Sequence, residues 1–203
     1  MGKTIDYYYA IMSGFAYLGE PELRRIAAQA GATINYCPVD ILSVFASSGI
    51  TPPPKQSDAR RAYRAVELER WGDVRGLPVN TAPKFWPVAP KQASLMVLAA
   101  TALGHDPGEL SSAFLRGVWV EDKDISDADQ IKAILTDVFP NAASEILAKA
   151  NDPQIEARFE EVSQAAIAAG VFGSPTYIVD GEVFFGQDRL DFVQKALAAP
   201  DKS

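Results

Sequence analysis

Strand-forming sequence is confined to the two ends of this chain, and between residues 58 and 169 no β-rich pair interrupts a helical pattern. A sheet can therefore form only if the N-terminal and C-terminal segments meet, with a run of helices looped out between them. Near the N-terminus, Thr4-Ile5 and the tyrosines Tyr7-Tyr8-Tyr9 suit a buried strand, since aromatic and β-branched side chains fill a pleated surface. A helix follows, with Ser13 of a preferred N-cap type, apolar residues about a turn apart at Tyr17, Leu18, Leu23 and Ile26, and Gly31 after its end. Strand 4–10, helix 14–30 and strand 33–39 make a β-α-β unit, for which a parallel pair is expected. At the other end, Thr176 to Val179 and Glu182 to Phe185 are β-rich and flank Asp180-Gly181, a strong hairpin signal.

Between these ends, Pro52-Pro53-Pro54 predicts a stiff extended connection, because proline fixes φ and has no backbone donor. Asp58 is the expected cap of a helix running to Val74 and stopped by Gly76-Leu77-Pro78. Gln92 to Leu103 is apolar nearly all round and should be buried between other helices. Further helices are expected from Pro107 to Trp119, Ser126 to Phe139, Ala142 to Ala150 and Pro153 to Ala169. The expected architecture is α/β: a discontinuous domain of residues 1–50 and 170–203 holds the sheet, and residues 51–169 form an all-helical insertion whose last helix returns to it.

A chain of 203 residues that is 48% hydrophobic can bury a sizeable core. With 19 basic and 26 acidic residues it carries a net charge of −7 and no dense run of Lys or Arg, so nucleic acid is not an expected partner. No stretch approaches the roughly 20 apolar residues of a membrane span. The N-terminus also lacks the basic, apolar and small-residue segments of a secretory signal, and a cytoplasmic location is expected. The single cysteine, Cys37, cannot form an internal disulfide and reads as a buried, inert thiol. With one histidine, His105, in the composition of an inter-helix turn, no metal site is expected.

Ser13 is the residue most open to chemistry. Capping alone accounts for a serine there, yet the free N–H groups of a helix start also stabilise an anion, and a thiolate is one.

The strand, Ser13-Gly14-Phe15-Ala16 at a helix start, the distant Gly170-Val171-Phe172-Gly173-Ser174-Pro175-Thr176 and then Phe185-Gly186-Gln187-Asp188-Arg189-Leu190 together resemble 2-hydroxychromene-2-carboxylate isomerases and the related kappa-class glutathione transferases, within the thioredoxin-like superfamily. That resemblance implies a thioredoxin-like domain carrying a helical insertion. Disulfide oxidoreductases of the superfamily have Cys-x-x-Cys where this chain has Ser13-Gly14-Phe15-Ala16, so no disulfide can be stored there and the thiol must come from outside. In the resembling families it belongs to glutathione. The resemblance then makes Ser13 the residue that hydrogen-bonds the thiolate, the backbone at Ser174 beside a cis Pro175 the partner of the cysteinyl unit, and Gln187 with Asp188 the holders of the γ-glutamyl end. Asp188 reads equally as an N-cap.

The reaction implied is isomerisation by addition and expulsion of the glutathione thiolate at a conjugated, aromatic-derived small molecule. Phe15, Phe85 and Trp86 are candidate walls of the substrate pocket, although Phe85 and Trp86 read equally as core. Arg60, Tyr63, Glu67, Arg70 and Trp71 have a spacing similar to a Lys/Arg-x-x-Tyr-x-x-x-Asp-x-x-Arg-Trp pattern of the isomerase-like proteins, but the residues themselves favour an amphipathic helix with i,i+3 and i,i+4 charge pairs. Members of these families are often dimers, and a homodimer is expected by the same likeness. Two residues depart from the family pattern, Ala10 in place of Asp and Gly14 in place of Pro, so that Ser-Gly-Phe replaces Ser-Pro-Tyr. A kappa-like transferase and a non-catalytic thioredoxin-fold binding protein are the alternative readings.

Overall fold

The computed structural model describes residues 2–200, so Met1 and the last three residues of the expected 170–203 segment lie outside the described residues. β1 (Thr4–Tyr9), α1 (Gly14–Ala30) and β2 (Thr33–Pro38) form the expected unit, with the strands parallel and Tyr7 opposite Tyr36. The chain rejoins the sheet at β3 (Thr176–Val179), antiparallel to β1 with Tyr177 opposite Tyr7, and at β4 (Glu182–Phe185), antiparallel to β3. The order β2-β1-β3-β4 puts one strand from each end of the chain in the middle. Asp180 and Gly181 have φ of 49° and 78°, the two positive values that a primed two-residue hairpin turn needs.

Both faces of the central strands are buried, which is why β1 carries no solvent-facing alternation beyond its first residues. Ile5, Tyr7, Tyr9 and Tyr177 point to one face, with Tyr7 stacked on Tyr9 at 4.3 Å and on Tyr177 at 5.4 Å between ring centroids. Tyr8, Cys37 and Ile178 point to the other. The first face is covered by α1 and by α9 (Leu190–Ala198); the second by α2 (Ile41–Ser47) and α8 (Pro153–Ala168). Cys37 is thus a core side chain, and burial pushes its thiol up to about 12.

The remaining helices are α3 (Asp58–Arg75), α4 (Lys91–Ala102), α5 (Pro107–Trp119), α6 (Ala128–Val138) and α7 (Ala143–Ala150). As its composition predicts, α4 is buried on all sides from Ala93 to Ala100 and packs between α5, α7 and α8. The helical stretch shares one continuous apolar core with the Tyr7 face of the sheet. Three details differ from expectation. α2 is a helix not expected from the sequence, started by Asp40, whose carboxylate accepts from the Leu42 N–H at 3.1 Å. The proline connection is not wholly extended but contains one 3₁₀ turn at Pro53–Lys55, since the φ that proline fixes also suits the first turn of a helix. Ser57, not Asp58, occupies the cap position of α3. Among the described residues, no helix is long and apolar enough to cross a membrane, and no group of His, Cys, Asp and Glu could hold a metal ion.

Candidate active site

Ser13 is the N-cap of α1, with extended φ and ψ of −82° and 123°, and its Oγ accepts from the Ala16 N–H at 3.3 Å. The same hydroxyl donates toward the carbonyl oxygen of Ser174 at 3.4 Å. That contact is longer than a normal O–H···O bond, so the proton is only weakly committed and can be redirected to a better acceptor. Ser174 is joined to Pro175 by a cis peptide bond, and its own Oγ accepts from the Ala10 N–H at 2.9 Å. The two ends of the chain are therefore pinned together across this point. Among the described residues the Ser174 N–H meets no acceptor, so one residue presents a donor and a weakly engaged carbonyl, as an added extended peptide requires.

Ser13 and Ser174 lie in a cleft of about 1030 Å³ that is also lined by Met12, Phe15, Tyr63 and Trp86. Its charged residues are Asp40, Lys55, Arg60, Arg64 and Glu67. Both acids are engaged elsewhere: Asp40 by the Leu42 N–H and the Ser43 hydroxyl, Glu67 by Arg70 at 2.7 Å. Arg64 is mostly withdrawn from water, which lowers its pKa to about 10, and it meets no hydrogen-bond acceptor or carboxylate among the described residues. Its guanidinium lies 4.5 Å from the Trp86 ring centroid, 5.2 Å from Trp119 and 5.5 Å from Phe15.

The structure brings together Ser13, Ser174, Pro175, Phe15 and Trp86, with Pro175 adjoining the cleft through its cis bond to Ser174. It does not bring Phe85 or the side chain of Gln187 there. Phe85 lies outside the cleft lining, with Lys84 Nζ 4.8 Å from its ring centroid. Gln187 is only 2% exposed because it packs against α1 at Gly19, and its Oε1 accepts from Arg75 at 3.2 and 3.1 Å. Its Oε1 is thus already engaged within the protein. Asp188, next along the same 3₁₀ turn, is exposed, stands outside the cleft lining and pairs with Arg189 at 3.4 Å. Of the α3 set, Arg60, Tyr63 and Glu67 line the cleft, while Trp71 packs on the core and carries Arg75 at 5.4 Å from its ring centroid.

Arg64 was not expected. Its signal is its place on α3: Arg64, Leu68, Trp71 and Arg75 follow i, i+4, i+7 and i+11, so two arginines sit on the stripe that faces inward.

The family model of the DSBA-like thioredoxin domain matches residues 4–198. The chain is 28% identical over 204 residues to the 2-hydroxychromene-2-carboxylate isomerase of Sphingobium xenophagum, covering 97% of this chain and 99% of that one. It is 26% identical over 208 residues to glutathione S-transferase kappa 1 of Homo sapiens, covering 96% and 91%. A solved 2-hydroxychromene-2-carboxylate isomerase shares the fold with a TM-score of 0.81 at 23% identity, over 96% of this chain and 94% of that one. These curated relatives are enzymes, and the similarity runs along nearly the whole of both partners. The chain belongs to the DSBA-like thioredoxin domain family, with isomerases and kappa-class glutathione transferases among its relatives.

Proposed function

We propose that the protein is a glutathione-dependent isomerase of the 2-hydroxychromene-2-carboxylate isomerase type, acting on a conjugated, aromatic-derived small molecule. The observation that carries the reading is the position of Ser13: a hydroxyl at the start of α1, 3.4 Å from the Ser174 carbonyl beside cis Pro175, in an aromatic-lined cleft. When bound, glutathione supplies a sulfur nucleophile that adds to a conjugated carbon and leaves again, so that a double bond is single for long enough to rotate. Ser13 donates to the sulfur and favours its charged form, while the N–H groups of the first turn of α1 add the positive end of the helix dipole. Ser174 fixes the position of the peptide through its backbone. Phe15 and Trp86 hold a planar substrate and keep water from its face. Asp188 is the remaining side chain for the γ-glutamyl ammonium, from its exposed turn beside β4. The same reading takes the protein to be a cytoplasmic homodimer.

Calorimetry with glutathione, together with cis-trans isomerisation of an aromatic enone assayed with and without glutathione, tests it. Binding that weakens in Ser13→Ala and turnover that requires glutathione are expected. Turnover independent of glutathione, or no binding at millimolar glutathione, overturns it.

A further inference from the structure

Residues 86–90 form one side of the cleft, yet they belong to neither a helix nor a strand. They end the connection between α3 and α4, in which Pro78, Pro83, Pro87 and Pro90 each lack a backbone donor, so no regular ladder holds it in place. Its ties to the rest of the chain are few. The Pro78 carbonyl accepts from the Tyr17 hydroxyl at 2.7 Å, and the Asn80 N–H donates to the Trp119 carbonyl at 2.7 Å. The Asn80 side-chain amide and the Lys84 N–H then both donate to one oxygen, Oδ1 of Asp122, each at 2.9 Å. Among the described residues, the Lys84 bond is the hydrogen bond to another element that lies nearest to Trp86 along the loop. Beyond Trp86 the loop is anchored by burial of Val88; before it, the anchor is Asp122.

The carboxylate of Asp122 serves this loop alone. Among the described residues it pairs with no cation, and the wrap of the chain past α5 is made by backbone, from the Lys123 N–H to the Gly117 carbonyl at 2.8 Å. Asp122 has a φ of 50°, a left-handed conformation uncommon outside glycine but tolerated by Asp and Asn. It stands just past Trp119, whose ring lies 5.8 Å from that of Trp86 and whose Nε1 donates to the Met12 carbonyl, next to Ser13. The end of α5 is thus one base for two parts of the cleft: the turn that carries the Ser13 hydroxyl and, through Asp122, the loop that carries Trp86. Arg64 and Trp119 lie against the Trp86 ring, but such contacts do not fix the backbone that bears it. We propose that Asp122 is a positioning residue of the cleft, which holds Trp86 at a set distance from Ser13 and so sets the width of the space in which substrate is held. The proposal rests on the reading of the cleft as the substrate site, and it adds the group outside the cleft that fixes one of its walls.

The test uses Asp122→Gly, which accepts the left-handed backbone but removes the oxygen, and Asp122→Asn, which keeps an oxygen for the same two donors. Fluorine NMR of protein carrying fluorinated tryptophan reads Trp71, Trp86 and Trp119 separately, each resonance assigned by its own Trp→Phe variant. The Trp86 resonance is expected to shift in Asp122→Gly while that of Trp71 stays, and Asp122→Asn should restore it. In glutathione-dependent isomerisation of cis-benzalacetone, Asp122→Gly should raise KM about 10-fold with kcat and glutathione affinity held, because a wall grips substrate and transition state alike. Asp122→Asn should return KM to the wild-type value. An unmoved Trp86 resonance or an unaltered KM in Asp122→Gly overturns the proposal. So does an Asp122→Asn variant as impaired as Asp122→Gly, or a fall in kcat and glutathione affinity alongside the rise in KM, which marks general loosening. If wild type shows no glutathione-dependent turnover, the isomerase reading fails instead, and the fluorine spectra with calorimetry of trans-benzalacetone still decide the role of Asp122. Asn80→Ala, which takes one of the two donors away, should move the same resonance and carries the comparison if Asp122→Gly does not fold.

Discussion

Gly14 faces the indole of Trp119 so closely that a Cβ at position 14 would stand 3.0 Å from two of its ring carbons, and 2.8 Å from Leu68 Cδ2. The indole cannot easily retreat, because its Nε1 donates to the Met12 carbonyl at 3.1 Å, one residue before Ser13. Glycine at the start of α1 is thus the condition for docking α5 against the residues that carry the Ser13 hydroxyl. Gly14→Ala gains up to about 1 kcal/mol of helix propensity, while overpacking against a rigid ring costs about 1–3 kcal/mol. The variant is expected to be less stable in urea unfolding, and the loss should shrink when Trp119→Phe is introduced first.

The strands, their order in the chain, the hairpin turn and most helices were legible because each depends on short-range pattern: tyrosines that fill a two-sided strand, Asp180-Gly181 between β-rich runs, and apolar residues a turn apart. α2 escaped because seven residues give too little periodicity to stand out. The local geometry of the candidate site was legible where backbone defines it, at the Ser13 cap and at the cis bond of Ser174-Pro175. It was not legible where the choice depends on which way a side chain turns. Gln187 and Asp188 are adjacent in one turn, yet one is buried on Arg75 and the other exposed. Phe85 and Trp86 are likewise adjacent, and only Trp86 enters the cleft. Arg64 hid among the charges of α3, where an inward-facing arginine looks the same in sequence as a solvated one.

Cys37 makes stability depend on alkaline pH. Burial raises its thiol from 9.0 to about 12, so the folded chain keeps a proton that the unfolded chain releases above pH 9.0. Native protein then holds more protons than unfolded, and stability falls as pH rises through that window; below it the contribution is complete. Between about pH 7.5 and about pH 9.5, below the range where tyrosines titrate, the thiol alone should cost about 0.8 kcal/mol. Urea midpoints of wild type and Cys37→Ala at the two pH values read this directly. Removing the thiol should flatten the decline, whatever constant cost the smaller side chain adds.

Arg75 joins the end of α3 to the turn that precedes α9, through Oε1 and the carbonyl oxygen of Gln187 and a 4.0 Å approach to Glu22. Arg75→Met retains most of the contact with Trp71 but removes every polar tie. With the buried Gln187 oxygen left without its donor, a loss of about 1–3 kcal/mol is expected in denaturant unfolding. Because Asp188 rides on the same turn, glutathione affinity should fall with it if Asp188 holds the γ-glutamyl end. Unaltered affinity in a destabilised Arg75→Met would separate that turn from the ligand.

Ser13 combines two functions that substitution can separate. Its Oγ caps α1 through the Ala16 N–H, and its proton, only loosely held by Ser174 at 3.4 Å, is the one available to a sulfur anion. Ser13→Ala removes both, at about 0.5–2 kcal/mol for the cap. Ser13→Asp keeps an oxygen to accept from Ala16 and a charge that suits the helix start, but it has no proton to donate and repels a thiolate. Stability should therefore be retained in Ser13→Asp and reduced in Ser13→Ala, as read by thermal unfolding. Both should lose activity, by about 100-fold or more where a single stabilising donor is deleted. In both, the thiol pKa of bound glutathione, followed by the ultraviolet absorbance of the thiolate, should rise relative to wild type, because the hydrogen bond that favoured the charged form is gone. Equal activity in wild type and Ser13→Asp would reduce Ser13 to a cap and move the thiol chemistry elsewhere in the cleft.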